Sequence, residues 1–342
     1  MITPEIDLNI TQQQLLALGN QLGLPLGPFS PLIPKTPEQQ AMLGGRIISP
    51  SLVGADGRVR SEIVPIFKAL ANPKAYAMLA YMGRSFLLET IYYYPDASNA
   101  NGNISLTDTD EGLRVTSPGV KEDVFPLLAQ YIGETLMRRT EFEVNFSLID
   151  TWVFFGAVDA CRRKMLNAVL EYSLLSEVEI TPDEIYTAIR ADSNNMQWFS
   201  PYFGGCLSLA QLSQSDTQMG IQSLIEKGLL NSQGDRIFPS NSVTRIADEF
   251  LVIDAHLRLR MGIIQSDQPQ HMDMRAIQGR SGAILYWVYD NQGVDLVSLS
   301  PAQLMLIISN MIENPAAHLS EGGAVSSLSR PTGSPSSPPE RL

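Results

Sequence analysis

The chain has 342 residues, of which 44% are hydrophobic and 18% charged, so it reads as a soluble globular protein with material for two cores of ordinary size. Its 24 basic and 36 acidic side chains give a formal charge of -12, which repels phosphate backbones and anionic headgroups and argues against nucleic acid and membranes as partners. Cys161 and Cys206 form no disulfide framework, the opening MITPEIDLNIT lacks the positive charge of a signal peptide, and apolar runs such as WVFFGAV fall short of the roughly 20 residues that span a bilayer; the expected location is the cytoplasm.

In chain order, Thr11 to Gly19 has a short helical pattern, and Pro25, Pro28, Pro31, Pro34 and Pro37 then forbid a continuous helix. Tyr76 to Met82 and Phe86 to Tyr94 read as a hairpin turning at Gly83-Arg84, and Ile104 to Leu106 and Leu113 to Thr116 as shorter strands. Val120, Val124, Leu127, Leu128 and Tyr131 mark a helix, with Pro126 kinking it or delimiting its first turn. Phe142, Val144, Phe146 and Leu148 alternate like a strand, and Thr151 to Tyr172 reads as a long helix.

Further on, Leu251, Ile253, Ala255, Leu257, Leu259 and Met261 alternate with Asp254, His256, Arg258 and Arg260, the period of a strand with one buried face. Met272 to Ile277, Ala283 to Tyr289 and Val294 to Leu299 are the next strands of a meander. In the closing helix Ser300 is the expected N-cap, Pro301 the first position and Gln303 the third position of a capping box, with Leu304, Ile307, Ile308 and Met311 as an apolar stripe. From about Leu319 the chain has too few apolar residues to offset the entropy of ordering, so a disordered tail is expected.

The dipeptide Ser-Pro occurs after a strand-like run at Ser117-Pro118 and again at Ser300-Pro301, and it suggests an internal duplication in which Ser caps and Pro starts a helix each time. Gln40 to Ile48 matches Gln222 to Leu230, Gly57-Arg58-Val59 matches Asp235-Arg236-Ile237, and Met82-Gly83 matches Met261-Gly262, at an offset of about 180 residues. The expected fold class is α+β: two related halves about a pseudo-twofold, each an antiparallel sheet with packed helices. The expected boundaries are 1–35 for an N-terminal helix and proline-rich lead-in, 36–135 for the first repeat, 136–180 for a connecting strand and helix, 181–318 for the second repeat and 319–342 for the tail.

Catalytic chemistry has little to stand on. His256, His271 and His318 have no ligand-type residue at metal-site spacing, and no phosphate-binding glycine loop or nucleophile elbow occurs. Asp108, Asp110, Glu111 and Gly112 resemble part of a calcium loop but lack its other ligands, so a solvated turn is expected. The expectation is a non-enzyme with no cofactor and no metal.

Leu207 to Phe238 reads as a winged helix-turn-helix with a hairpin wing after Glu226-Lys227-Gly228. As a DNA reader it would present Gln214, Gln218 and Gln222 to base edges and Lys227 and Arg236 to phosphates. Asp216, Glu226 and Asp235 beside those two cations favour a protein-contact module instead.

QAMLGGRII, a polar turn and IFKALANPKAYAMLAYMG (Ile66 to Gly83) together resemble the first half of the EspG-type chaperones of type VII secretion. GAILYWVYDNQGVDLVSLSPAQLMLIISNMI (Gly282 to Ile312) is similar to the closing sheet and helix of that family, with Ala71-Asn72-Pro73 and Ser300-Pro301-Ala302-Gln303 among the residues that carry the likeness. The resemblance implies two open sheets and associated helices that hold a secreted helical substrate in the cytoplasm. The chain departs from the family pattern in the longer Leu207 to Phe238 segment and in the Ser/Pro-rich tail.

The absence of catalytic groups and the open sheets favour a binding protein, and with the resemblance the expectation is a chaperone or adaptor that holds a protein partner through sheet faces and hairpin loops. Strand alternation turns at least one of Tyr92, Tyr93 and Tyr94 outward, and Tyr286, Trp287 and Tyr289 form a second aromatic group, so these six are the expected partner anchors. The alternative is a winged-helix transcriptional regulator.

Overall fold

The computed structural model describes residues 5–44, 51–84, 86–97, 102–119, 124–173, 177–190, 197–203, 212–234, 236–289 and 293–316. Strand β1 (Ile6–Ile10) leads into α1 (Gln12–Leu22), whose start is fixed by a capping box: Thr11 Oγ1 accepts from the Gln14 amide and the Gln14 side chain accepts from the Thr11 amide. The proline-rich stretch runs without regular structure to α2 (Pro37–Met42), and α3 (Val64–Ala71) precedes the sheet strands. Strands β2 (Ala75–Gly83), β3 (Leu87–Tyr94), β4 (Ile104–Thr109) and β5 (Gly112–Ser117) then form an antiparallel meander, followed by α4 (Phe125–Ile132) with Pro126 in its first turn.

Strand β6 (Glu143–Phe146) and the long α5 (Leu148–Leu170) come next, then α6 (Pro182–Ile189), α7 (Phe199–Phe203), α8 (Gln214–Glu226), the hairpin β7 (Leu230–Gln233) and β8 (Arg236–Pro239), and α9 (Asn241–Glu249). A second meander follows: β9 (Ile253–Gln265), β10 (Gln268–Gly279), β11 (Ile284–Tyr289) and β12 (Val294–Leu299), closed by α10 (Pro301–Glu313). The β9–β10 turn uses Ser266 and Asp267 at φ 49° and 63°, the two left-handed positions that match the twist of a tight hairpin.

The two meanders do not stand as separate sheets, as the sequence led one to expect. Strand β2 pairs antiparallel with β9 from Ala75↔Ile263 to Gly83↔Ala255, and the result is one ten-stranded sheet of order β1-β5-β4-β3-β2-β9-β10-β11-β12-β6. Two unpaired central edges would each expose a row of backbone donors and acceptors, and pairing them satisfies both. From this central pair outward, each side runs through its meander in order and ends on a strand from earlier in its own half.

Helices cover both faces. On one, α4 and α10 pack over Ala77, Leu79, Tyr92, Leu257, Leu259 and Tyr286. On the other, α1 and α3 cover Tyr93, Ile104, Leu106 and Val115, while α5 to α9 cover Ile277, Leu285, Trp287 and Leu296. The Ser-Pro expectation divides between its copies. Ser300 forms the full capping box with Gln303, whereas Ser117 is buried at the end of β5 and α4 begins only at Phe125 after Val124. Asp110-Glu111 is the tight turn between β4 and β5. The expected tail lies outside the described residues.

Candidate functional site

Because side chains alternate across a strand, β2 sends Ala75, Ala77, Leu79 and Tyr81 into the α4/α10 core and Tyr76, Met78, Ala80 and Met82 to the opposite face. The strand register carries this across the central strands as rows: Ile91, Met78, Arg260 and Asp273; Glu89, Ala80, Arg258 and Arg275; Leu87, Met82, His256 and Ile277. These rows form a floor between the α1/α3 layer and the α5 to α9 layer. Met82 is 40% and Leu87 69% exposed, while Met78, Ala80, Glu89, Ile91, Arg258 and Arg260 are half-buried.

The walls of the floor are aromatic. At one end Phe29 meets Tyr76 and His271 edge-on, at centroid distances of 5.1 and 5.4 Å, and the Tyr76 hydroxyl is 3.0 Å from His271 Nδ1. Tyr76 lies across Gly262, its cross-strand partner, where any Cβ would collide with the ring. On the other side, Tyr202 of α7 packs on His256 at 4.3 Å, donates its hydroxyl to the Leu257 carbonyl and accepts, through its own carbonyl, from Arg275. A cleft of about 230 Å³ opens beside the floor between Pro31, Lys35, Glu89, Ile91 and Asp108.

The electrostatics of the floor are unevenly balanced. Asp273 accepts from Arg258 at 2.9 Å through one oxygen and from Arg275 at 3.4 Å through the other. Arg260, directly opposite Asp273 in the register, makes no ion pair or side-chain hydrogen bond among the described residues, and its Nε is buried without a partner. Burial, followed by the charge of Arg260, holds the His271 imidazole below its ordinary 6.5. Burial, followed by Asp108, pushes the Glu89 carboxyl above the usual range.

The six aromatics expected as partner anchors lie elsewhere. Tyr92, Tyr94 and Tyr286 fill the α4/α10 core, Tyr93 the α1/α3 core, and Trp287 packs against Phe155 at 5.3 Å under α5; Tyr289 alone is half-buried. Strand alternation does turn neighbours to opposite faces, but here both faces are covered, so outward from one core is inward to another. The floor residues went unnoticed in sequence because Arg258 and Arg260 read only as the solvent side of a strand.

For the helix-and-wing segment, the expected first helix falls mostly on residues outside those described. The rest comprises α8, which packs on α5 through Gly220, and the β7–β8 hairpin, extended by a bridge between Ile180 and Ile237. Gln214, Gln218 and Gln222 are exposed as expected, but Gln214 donates to Asp183 and Gln222 to Glu226. Lys227 is paired with Asp150 at 3.1 Å and Arg236 with Glu179 at 3.1 Å. Both cations expected to meet phosphate are thus engaged by carboxylates.

A buried polar cluster, also unforeseen, holds α7 in place. Asp159 of α5 accepts from the Phe199 and Ser200 amides, the Ser200 hydroxyl and Arg162 at 2.9 to 3.0 Å, and Arg162 reaches on to the Leu251 carbonyl. Both charged side chains are almost fully buried, and burial pushes the carboxyl of Asp159 up against the pull of Arg162. Among the described residues, no three His, Cys, Asp or Glu side chains gather to hold a metal ion, and no helix is long and apolar enough to cross a membrane.

No protein-family model matches this chain, and no curated protein matches it in sequence. Among solved structures it is similar to a chain in the structure of the Mycobacterium tuberculosis type VII secretion system chaperone EspG5 in complex with the PE25-PPE41 dimer. The match has 10% sequence identity, covers 91% of this chain and 96% of that chain, and has a TM-score of 0.44.

Proposed function

We propose that this chain is a non-catalytic, protein-binding chaperone or adaptor that holds a helical segment of its partner on the central floor of the sheet, beside the β2–β3 hairpin. The observation that carries this reading is the floor itself, a half-exposed strip of β3, β2 and β9 that reaches Asp273 of β10 and runs between two helix layers. Three inter-strand spacings span on the order of 14 Å, enough for one helix with a diameter of about 10 Å. Met78, Ala80, Met82, Leu87 and Ile91 supply apolar contact, and Glu89, Arg258 and Arg260 supply charge. The sequence resemblance adds a secreted partner held in the cytoplasm, and that part of the proposal rests on the family-like segments alone.

The test is site-specific photo-crosslinking in the producing cell, with the reactive side chain at Ala80 or, as a control, at Leu170 on the exposed end of α5. The expected result is one discrete protein adduct through Ala80, absent from Leu170 and lost when Met78→Glu is added. Equal adducts from both positions, or none from Ala80, would overturn the proposal. Lys227 and Arg236, paired with Asp150 and Glu179, argue against DNA regulation.

A further inference from the structure

Arg260 is the one guanidinium of the floor that forms no ion pair among the described residues. Three arginines, Arg258, Arg260 and Arg275, share this face with Asp273 and Glu89, and Asp273 is spent on Arg258 and Arg275. In a chain of formal charge -12, a locally positive strip runs against the overall balance. Arg260 is half-buried with its Nε closed to solvent, so an arriving group would meet the terminal nitrogens, and the planar fork of arginine suits the two oxygens of a carboxylate. Met78 is directly opposite Arg260 on β2 with Ile91 beyond it, while Asp273 lies opposite on β10, so the acceptor would arrive from the apolar β2 and β3 side.

From this geometry we infer that the helical segment held on the floor presents a carboxylate, from Asp or Glu, to Arg260 from within its apolar face. The inference rests on the floor being the docking surface and adds the chemistry by which the partner is selected. Arg258 projects from the same face two residues along β9, about 6.7 Å away, so a second charge stands beside the first. A nucleic acid strand is disfavoured here, because Glu89, Asp108 and Asp273 line the same floor and its adjoining cleft.

The experiment measures binding of synthetic amphipathic helical peptides to the full chain by fluorescence anisotropy. The peptides are identical except for one Glu, Gln or Lys at the centre of the apolar face. The Glu peptide is expected to bind about tenfold or more tightly than the Gln peptide, a margin that disappears in Arg260→Gln while Gln-peptide binding persists. In Arg260→Glu the preference should invert toward the Lys peptide, which controls for misfolding of the variants. Equal binding of Glu and Gln peptides to the parent chain, or a Glu preference that survives Arg260→Gln, overturns the carboxylate while leaving the floor as a docking surface. Failure of all three peptides to bind overturns both the carboxylate and the docking floor. Capture of a single-stranded oligonucleotide in place of the peptides would also overturn the inference.

Discussion

The two sides of the sheet share one face and differ on the other. Under α4 and α10 a single apolar core runs across both meanders, so neither side could be cut away without exposing the other. On the opposite face the β9–β12 side carries five helices, α5 to α9, with α7 held to α5 through the buried Asp159–Arg162 pair, while the β2–β5 side carries α1 and α3, and the ion pair that ties its edge strand β1 to β5 is exposed. The floor is the gap where these unlike layers fail to meet. Identical covers would have closed it or left it featureless; unlike ones leave a strip with aromatic walls and an unbalanced charge.

The largest expected effect tests the buried pin. Asp159→Ala leaves Arg162 charged and buried and releases the Phe199 and Ser200 amides, so chemical denaturation should show a loss of about 3–5 kcal/mol. On the other side, Asp7→Ala removes the partner of Arg114 at an exposed edge and should cost below about 1 kcal/mol. Similar losses for the two variants would show that the two sides are held by ion pairs of equal weight, and the contrast would fail.

The two Ser-Pro sites sharpen the contrast at smaller scale. Ser300→Ala deletes the cap of α10 and should lower stability by about 1 kcal/mol, with hydrogen exchange rising in the first turn of α10. Ser117→Ala removes no cap, and exchange in α4 should not change.

A still smaller effect belongs to His271. Its folded-state pKa lies below the ordinary 6.5, so the unfolded chain binds the proton more readily, and the contribution of this residue to stability is present above pH 6.5 and lost as pH falls through and below it. Arg260→Gln removes one cause of the depression and should move the His271 titration upward in NMR; no movement would place Arg260 too far away to matter. The wing should show the least response. Duplex DNA should bind the parent chain and Lys227→Glu alike, without a steep salt dependence, and a salt-steep affinity abolished by that change would revive the regulator reading.

Local signals were the legible part of this molecule. The β9 alternation, the β2–β3 hairpin, the long α5 and the α10 capping box were all readable, because period and capping are decided within a few neighbouring residues. Strand β1 and helix α3 went unseen. They are short, and their placement depends on β5 and on the core around Leu18, Phe67 and Ile104. The candidate site was legible only as an alternation of Arg258 and Arg260 with apolar residues.

By itself, then, the sequence determined the strands of the two meanders, the long α5, the capped α10 and the α+β class, since these follow from periodicity, turns and caps. Only the tertiary structure decided that the meanders join through β2 and β9, that Tyr92, Tyr93, Tyr94, Tyr286 and Trp287 are core residues, and that Arg260 forms no ion pair among the described residues. Each of these turns on which distant residues share a face. Pairings such as Met78 with Arg260 join residues from opposite ends of the chain, and no local pattern encodes which strand edge finds which.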